Sequence, residues 1–275
     1  MRLADAVEFC FQHRDAWIYG SGAATARINT GHVVRILGPD LDVNDIKTEH
    51  FSRLTSVLLS EGKAGGTINR ITTALSTMLN ELRQNGISVA KVDFKRQKEA
   101  KPRPSYFKEE EVDQLLLKAA ELNDYMLLHD SILFSIKTGC RQGEMLQLSV
   151  DDIDMEKREI VFRDTKNGTD HWLKMHEDLI PILERRLQYR INSELFPWRD
   201  KDQLLRSFKS LARAAKVPLD GRVWHSLRHS VATWLCERQV PLRTVMGVLN
   251  HKRVETTLKY AKASDRAVAA AIEVL

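Results

Sequence analysis

Apolar positions recur at helical spacing through most of the chain. "TEHFSRLTSVLLSEG" (48–62) carries such a stripe and stops at Gly62, and "TINRITTALSTMLNELRQNG" (67–86) repeats the device and stops at Gly86. "AATARINTGHVVRIL" (23–37) offers a third helix, so a small all-α domain over residues 1–90 is the economical reading. Past residue 104, "KEEEVDQLLLKAAEL" opens with acidic groups that suit a helix N-terminus. "DYMLLHDSILFSIKTG" (124–139) reads as an apolar helix closed by Gly139. The period then changes. In "REIVFRDTKNGTDHWLKM" (158–175) two short strand-like runs flank "TKNG", which predicts a hairpin, and helical patterns resume at "EDLIPILERRLQYR". The expected fold class is mainly α with a small antiparallel β-sheet, in two domains over 1–90 and 105–275 joined by residues 91–104.

A chain of 275 residues is long enough to give both domains a core. Its 43% apolar and 29% charged residues are a globular balance. No apolar run reaches the length of a membrane span, and "MRLADAVEFC" lacks the order of a signal peptide. The three cysteines, Cys10, Cys140 and Cys236, are far apart and form no CxxC pair. They predict neither a disulfide framework nor a zinc site, and a reducing cytosol is the simplest compartment.

The net charge of +5 gains meaning once divided along the chain. Residues 1–90 are neutral, residues 104–275 carry +1, and residues 91–103, "KVDFKRQKEAKPR", carry +4. A soluble linker that happens to be basic explains this segment. So does a strap across a phosphate backbone, where each cation releases a condensed counterion.

Basic groups cluster where helices or turns begin. Arg141 follows the stop at Gly139 in "TGCRQGEMLQL", and Lys166 sits at the hairpin tip. His225 and Arg228 open a helix in "HSLRHS", one turn apart, and His251 follows "VLN". Tyr260 ends "HKRVETTLKY". Each has an ordinary explanation alone: Arg141 can pair with Glu144, Lys166 can be an exposed turn lysine, and Tyr260 can be packing.

Taken together and in this order, these motifs resemble the series of the tyrosine recombinase, or phage integrase, family. The similarity spans about 104–275, and the layout of the helical domain and basic linker also resembles the family's core-binding (SAM-like) domain and interdomain strap. The resemblance implies that Arg141 and Arg228 hold the scissile phosphate, that Lys166 is the mobile hairpin lysine, and that His225 and His251 are the family's two further site positions. It makes Tyr260 the nucleophile and Glu144 a support for Arg141. One departure stands out, since the family commonly has glycine where this chain has Asn250.

The chemistry is consistent with that list. A tyrosine titrates near pH 10, so it needs a proton acceptor or nearby cations to attack phosphorus. Two arginines match phosphate oxygens and stabilise the extra charge of the transition state. A lysine can protonate the leaving 5′-oxygen where an arginine cannot. A 3′-phosphotyrosine link conserves the bond energy, so rejoining needs no ATP. Neither cofactor nor metal is expected, and "DDID" (151–154) reads as a polar turn. Leu227, Val231, Trp234 and Leu235 are expected to face the core, and His229 to point away from the site.

The implied function is a site-specific recombinase or integrase that inserts or excises a phage or other mobile element. The implied partners are double-stranded DNA, three further copies of the chain in a tetramer, and DNA-bending accessory proteins. The implied setting is a bacterial cytoplasm, on the nucleoid when DNA is bound. A type IB topoisomerase and a non-catalytic DNA-binding regulator are the competing readings. "DRAVAAAIEVL" (265–275) has an apolar stripe suited to docking on its own domain or on a neighbouring protomer. An additional N-terminal arm-binding domain is not expected, because the chain starts almost directly in the helical domain.

Overall fold

The computed structural model describes residues 1–20, 22–99, 105–122, 125–165, 168–188 and 192–261. Cα packing divides the chain into two compact units, Met1–Pro102 and Arg103–Leu275. "DRAVAAAIEVL" and the hairpin tip with Lys166 lie outside the described residues.

The first unit is helical: α1 (Leu3–His13), α2 (Asp15–Ile18), α3 (Ala23–Leu37), α4 (Thr48–Ser60) and α5 (Gly65–Gln84). Helix α1 was not anticipated, yet its buried residues Leu3, Ala6, Val7 and Cys10 keep the i, i+3, i+4, i+7 spacing. The longest helix, α5, carries Ile68, Ile71, Leu75, Met78, Leu79 and Leu82 inward. Its exit is the left-handed Gly86 (φ 79°), the stop expected from the sequence.

The described part of the basic segment is fastened to this unit. Phe94 stacks on Phe51 of α4 with ring centroids 4.6 Å apart. The Asn69 side chain on α5 bonds the Gln97 backbone both ways, donating to its carbonyl at 2.9 Å and accepting from its N–H at 2.8 Å. Gly65 leaves the room: a Cβ there would lie 2.4 Å from the Lys98 carbonyl oxygen.

The second unit opens with α6 (Glu109–Glu121) and α7 (Met126–Thr138), followed by the short α8 (Gln142–Leu146). An antiparallel sheet follows, ordered β1 (Ile153–Asp154), β2 (Glu159–Phe162) and β3 (His171–Lys174). Phe162 pairs with His171 and Glu159 with Lys174 across the hairpin. The chain finishes in α9 (Ile180–Gln188), α10 (Lys201–Ala214), α11 (His225–Glu237), α12 (Leu242–Val248) and α13 (Val254–Leu258). The mainly helical class with a small antiparallel sheet is therefore observed. "DDID" turns first, as a 3-10 turn over Val150–Asp152, but Ile153 and Asp154 then pair with Ile160 and Glu159 as a third strand. Two residues are too few to show alternation, so the sequence pattern could not reveal it.

Helices α6, α7, α10 and α11 enclose one core. Phe134 of α7 packs against Phe162 and Phe196, and Phe208 of α10 packs edge-on against Phe107 and Trp224. Polar groups are buried here too. Asp130 of α7 is fully enclosed and receives Arg185 and Arg186 of α9. Burial alone would raise its pKa, but bonds from His129, Arg185 and Arg186 outweigh that and hold the carboxyl below the usual range. Among the described residues, no helix is long and apolar enough to cross a membrane.

Candidate active site

Helix α7 ends at Gly139, whose φ of 63° is left-handed and whose missing Cβ would sit 2.6 Å from Leu249 Cδ2. This tight stop turns the chain into Cys140 and Arg141. Arg141 is the N-cap residue of α8. Glu144 accepts the Arg141 backbone N–H at 2.8 Å and, with its other oxygen, the guanidinium at 2.5 Å. One carboxylate thus caps the helix and orients the arginine. The ordinary and the family explanations of Glu144 describe the same contact.

Arg228 approaches from α11 and is buried, with 5% of its surface exposed. Its guanidinium donates to the Gly139 carbonyl at 2.7 Å and to the Leu249 carbonyl. Arg141 in turn donates to the carbonyl of the next residue, Asn250, at 3.3 Å. Two arginines 87 positions apart therefore converge on consecutive carbonyls. Burial first, then the repulsion of Arg141, brings Arg228 down to about 10, which leaves it charged at neutral pH. A guanidinium has five donors, and two of those of Arg228 are taken by carbonyls, so the pair keeps capacity for an anion.

The turn that presents those carbonyls is built on Asn250. Its φ of 48° is left-handed, a conformation asparagine tolerates better than most residues. The His251 N–H reaches back to the Met246 carbonyl at 2.9 Å and closes α12. Glycine, expected from the family pattern, would satisfy this backbone equally. Asparagine adds a bond from its Nδ2 to Thr165 Oγ1 at 3.2 Å, which ties the turn to the base of the hairpin.

Four histidines surround the arginines. His225 lies at the start of α11 with an exposed edge. It falls to about 4 through loss of water around the ring, then through His229, Arg228 and Arg141. His251 contacts Thr257 Oγ1 through Nδ1 at 2.9 Å and also falls to about 4, again through burial first and then Arg228 and Arg141. His171 of β3 donates to the Val248 carbonyl at 3.2 Å and is lowered by burial. His229 meets the Tyr260 hydroxyl through Nδ1.

That last contact corrects an expectation. His229 does not point away from the site. Four helical positions advance 400°, so His229 lies about 40° round from His225 on one face, and their rings meet edge-on at 4.9 Å. The i, i+4 spacing of the two histidines in "HSLRH" is the sequence signal for this shared face. Leu227, Val231 and Trp234 are buried as expected, and Leu235 is half-buried. His171 was likewise missed, because nothing in a strand pattern singles out one histidine near the hairpin.

Tyr260 follows α13, its backbone N–H bonded to the Thr257 carbonyl at 3.0 Å. The ring rests against the small cluster of Val231, Ala232, Val245 and Leu249, and the hydroxyl ends on α11. Burial raises its pKa, and the nearby charge of Arg228 works in the opposite direction. Of the six predicted site residues, five thus gather around one end of α11. Lys166 is outside the described residues, but Thr165 beside it is buried and bonded to the Thr169 carbonyl at 2.7 Å. Among the described residues, no group of three or more His, Cys, Asp or Glu side chains is placed to hold a metal ion.

Two neighbouring guanidinium groups, imidazoles beside them and a tyrosine hydroxyl held against the helix of Arg228 are groups able to bind a phosphate. Residues 105–266 match the Phage integrase family, and the chain belongs to that family of tyrosine recombinases, enzymes that cleave and rejoin DNA strands. It is similar to tyrosine recombinase XerA of Pyrococcus horikoshii, with 27% identity over 219 residues, 77% of this chain and 75% of that one. Its fold resembles the Tn1549 transposon integrase in complex with circular intermediate DNA (TM-score 0.77, 17% identity, 99% of each chain). It also resembles a lambda integrase tetramer bound to a Holliday junction (TM-score 0.76, 18% identity, 96% of this chain and 80% of that chain).

Proposed function

We propose that this chain is a site-specific recombinase that breaks DNA by attack of Tyr260 on a backbone phosphate, forming a 3′-phosphotyrosine and releasing a 5′-hydroxyl. The observation that carries the reading is the convergence of Arg141 and Arg228 on the Leu249 and Asn250 carbonyls, with the Tyr260 hydroxyl held on the same helix as Arg228. The two guanidinium groups bind the scissile phosphate and stabilise the charge added in its pentavalent transition state. His225 and His251 are neutral in the free protein and donate hydrogen bonds to phosphate oxygens. An anion beside them offsets the cations that depress their pKa, so bound phosphate favours their protonation. Lys166 protonates the departing 5′-oxygen.

Residues 1–90 form the core-binding domain, and residues 91–104 follow the DNA backbone. Four copies act together on paired duplexes, with DNA-bending proteins shaping the complex in the bacterial cytoplasm. The likeness to a transposon integrase and to lambda integrase supports a phage or other mobile element as the substrate. No cofactor is required. The test is to trap DNA covalently bound to the protein in its native genome and sequence the attached ends. One recurrent junction, lost with Tyr260→Phe, is expected. Ends scattered over the genome would point to a topoisomerase, and no attached ends would overturn the covalent mechanism.

A further inference from the structure

Helix α11 holds a histidine that the proposed reaction has not used. His229 touches the Tyr260 hydroxyl through Nδ1, with the rings tilted and their centroids 5.6 Å apart. The ring of His225 meets the imidazole edge-on, with centroids 4.9 Å apart. Resting on the reading of Tyr260 as nucleophile, we propose that His229 is the group that receives its proton as the hydroxyl attacks phosphorus.

The charges around the ring define its protonation. His225 and Arg228 face it from α11, Lys259 and Tyr260 from the segment after α13, and His251 from the segment after α12, while Cys236 lies near the tyrosine. Burial first, then Arg228 and Lys259, lowers the His229 pKa, so the ring is neutral at pH 7 and has one bare nitrogen. A bare Nδ1 gives the phenol proton an acceptor. If Nδ1 carried the hydrogen instead, that proton would have none among the described residues.

At rest the proton stays on oxygen, because burial raises the phenol while it lowers the imidazole. A bound phosphate changes the balance. It offsets Arg228 next to the ring, and attack withdraws electrons from the phenol oxygen. The O–H electron pair remains on oxygen and becomes the new bond to phosphorus, while the proton passes to the Nδ1 lone pair. The bond to the 5′-oxygen breaks with its electron pair, and that oxygen takes a proton from a separate acid, the part proposed for Lys166. On rejoining, the 5′-hydroxyl returns its proton to that group, its oxygen displaces the tyrosine, and the tyrosine recovers the proton from His229. Activation is thus coupled to DNA, which protects a free enzyme from carrying a standing phenolate.

The experiment uses the full chain and a nicked duplex carrying its own mapped junction, with cleavage rates taken from pH 6 to 9.5. His229→Gln keeps an oxygen that accepts the hydroxyl but has no group that binds a proton near neutrality. The expected loss at pH 7 is about 100-fold, within the range for general base catalysis. The His229→Gln rate should then climb with hydroxide, and 3,5-difluorotyrosine at position 260, a more acidic phenol, should recover most of the loss. A His229→Gln rate within about threefold of wild type at pH 7 would overturn the proposal. A loss equal at every pH and unchanged by the fluorinated residue would also overturn it, by making the contact structural only. The underlying reading fails separately, if Tyr260→Phe with His229 intact still forms an adduct.

Discussion

The two units bury different things. In the first, the interior is mostly apolar, and its few buried polar groups have local uses: Thr30 and Thr72 bond carbonyls of their own helices, Asn69 fastens the basic segment, and Glu81 pairs with the half-buried Arg14 at 2.7 Å. In the second, more polar groups lie inside: the Arg228 guanidinium, two aspartates (Asp130 and Asp152), and several serines and threonines. A buried charge is tolerated only when paired or hydrogen-bonded, and Arg228 and Asp130 are. The first unit therefore spends its interior on cohesion. The second gives part of its interior to charged groups held in fixed hydrogen bonds, Arg228 on two carbonyls and Asp130 on two arginines.

The comparison breaks first at Arg228. Arg228→Ala removes the proposed phosphate donor and leaves the Gly139 and Leu249 carbonyls without their partner. Strand cleavage on a nicked duplex should fall by about 10³-fold or more. Urea unfolding should show a loss of about 1–3 kcal/mol. Arg228→Lys should restore less than its charge suggests, because an ammonium lacks the fork that spans two carbonyls. Cleavage within a few fold of wild type in both variants would contradict the comparison.

Core substitutions separate the units in another way. Leu75→Ala in α5 should destabilise the first unit by about 2–5 kcal/mol, with little dependence on pH. Asp130→Asn should cost about 3–5 kcal/mol, because two arginines lose their shared anion. Its cost should depend on pH. The Asp130 pKa is lowered on folding, so its contribution is complete above the unfolded carboxyl range and disappears as pH falls through the folded value. Unfolding at pH 7 and pH 3 should show the two variants converging on wild type differently: the Asp130→Asn deficit shrinks in acid and the Leu75→Ala deficit persists.

The fully helical unit was also the more legible. Stripes in 48–62 and 67–86, with Gly62 and Gly86 as stops, define α4 and α5 because water on one side and core on the other impose a single period. Helix α1 has the same spacing in Leu3, Ala6, Val7 and Cys10, so its sequence carries the same signal. In the second unit the site motifs were legible as a family resemblance, yet the convergence of Arg141 with Arg228 was not. It depends on two left-handed residues, Gly139 and Asn250, whose turns present carbonyls 139 and 249 to Arg228 and carbonyl 250 to Arg141. No hydrophobic period encodes a carbonyl direction. His229 escaped for a related reason: its partner is 31 residues away, and only the path of α12 and α13 brings it back.

Smaller effects refine the picture. Gly139→Ala forces a Cβ to 2.6 Å from Leu249 Cδ2 at φ 63°, and should destabilise by about 1–3 kcal/mol while displacing a carbonyl that Arg228 needs. Acidification should weaken the free second unit over a defined window. His225 and His251 fall from 6.5 to about 4, so the unfolded chain binds more protons between those values and stability declines as pH drops from about 6.5 to about 4. Thermal unfolding across that range should show the decline, and added phosphate should reduce it. The mildest change is Asn250→Gly, which keeps the left-handed turn and removes the bond to Thr165. It should alter stability by about 1 kcal/mol or less.

Protein incubated with a nicked duplex bearing its mapped junction should be digested with trypsin and nuclease, and the modified peptide sequenced by mass spectrometry. A nucleotide phosphate is expected on Tyr260 and on no other residue. A phosphate on a different side chain, or strand cleavage with every peptide unmodified, would contradict Tyr260 as the nucleophile.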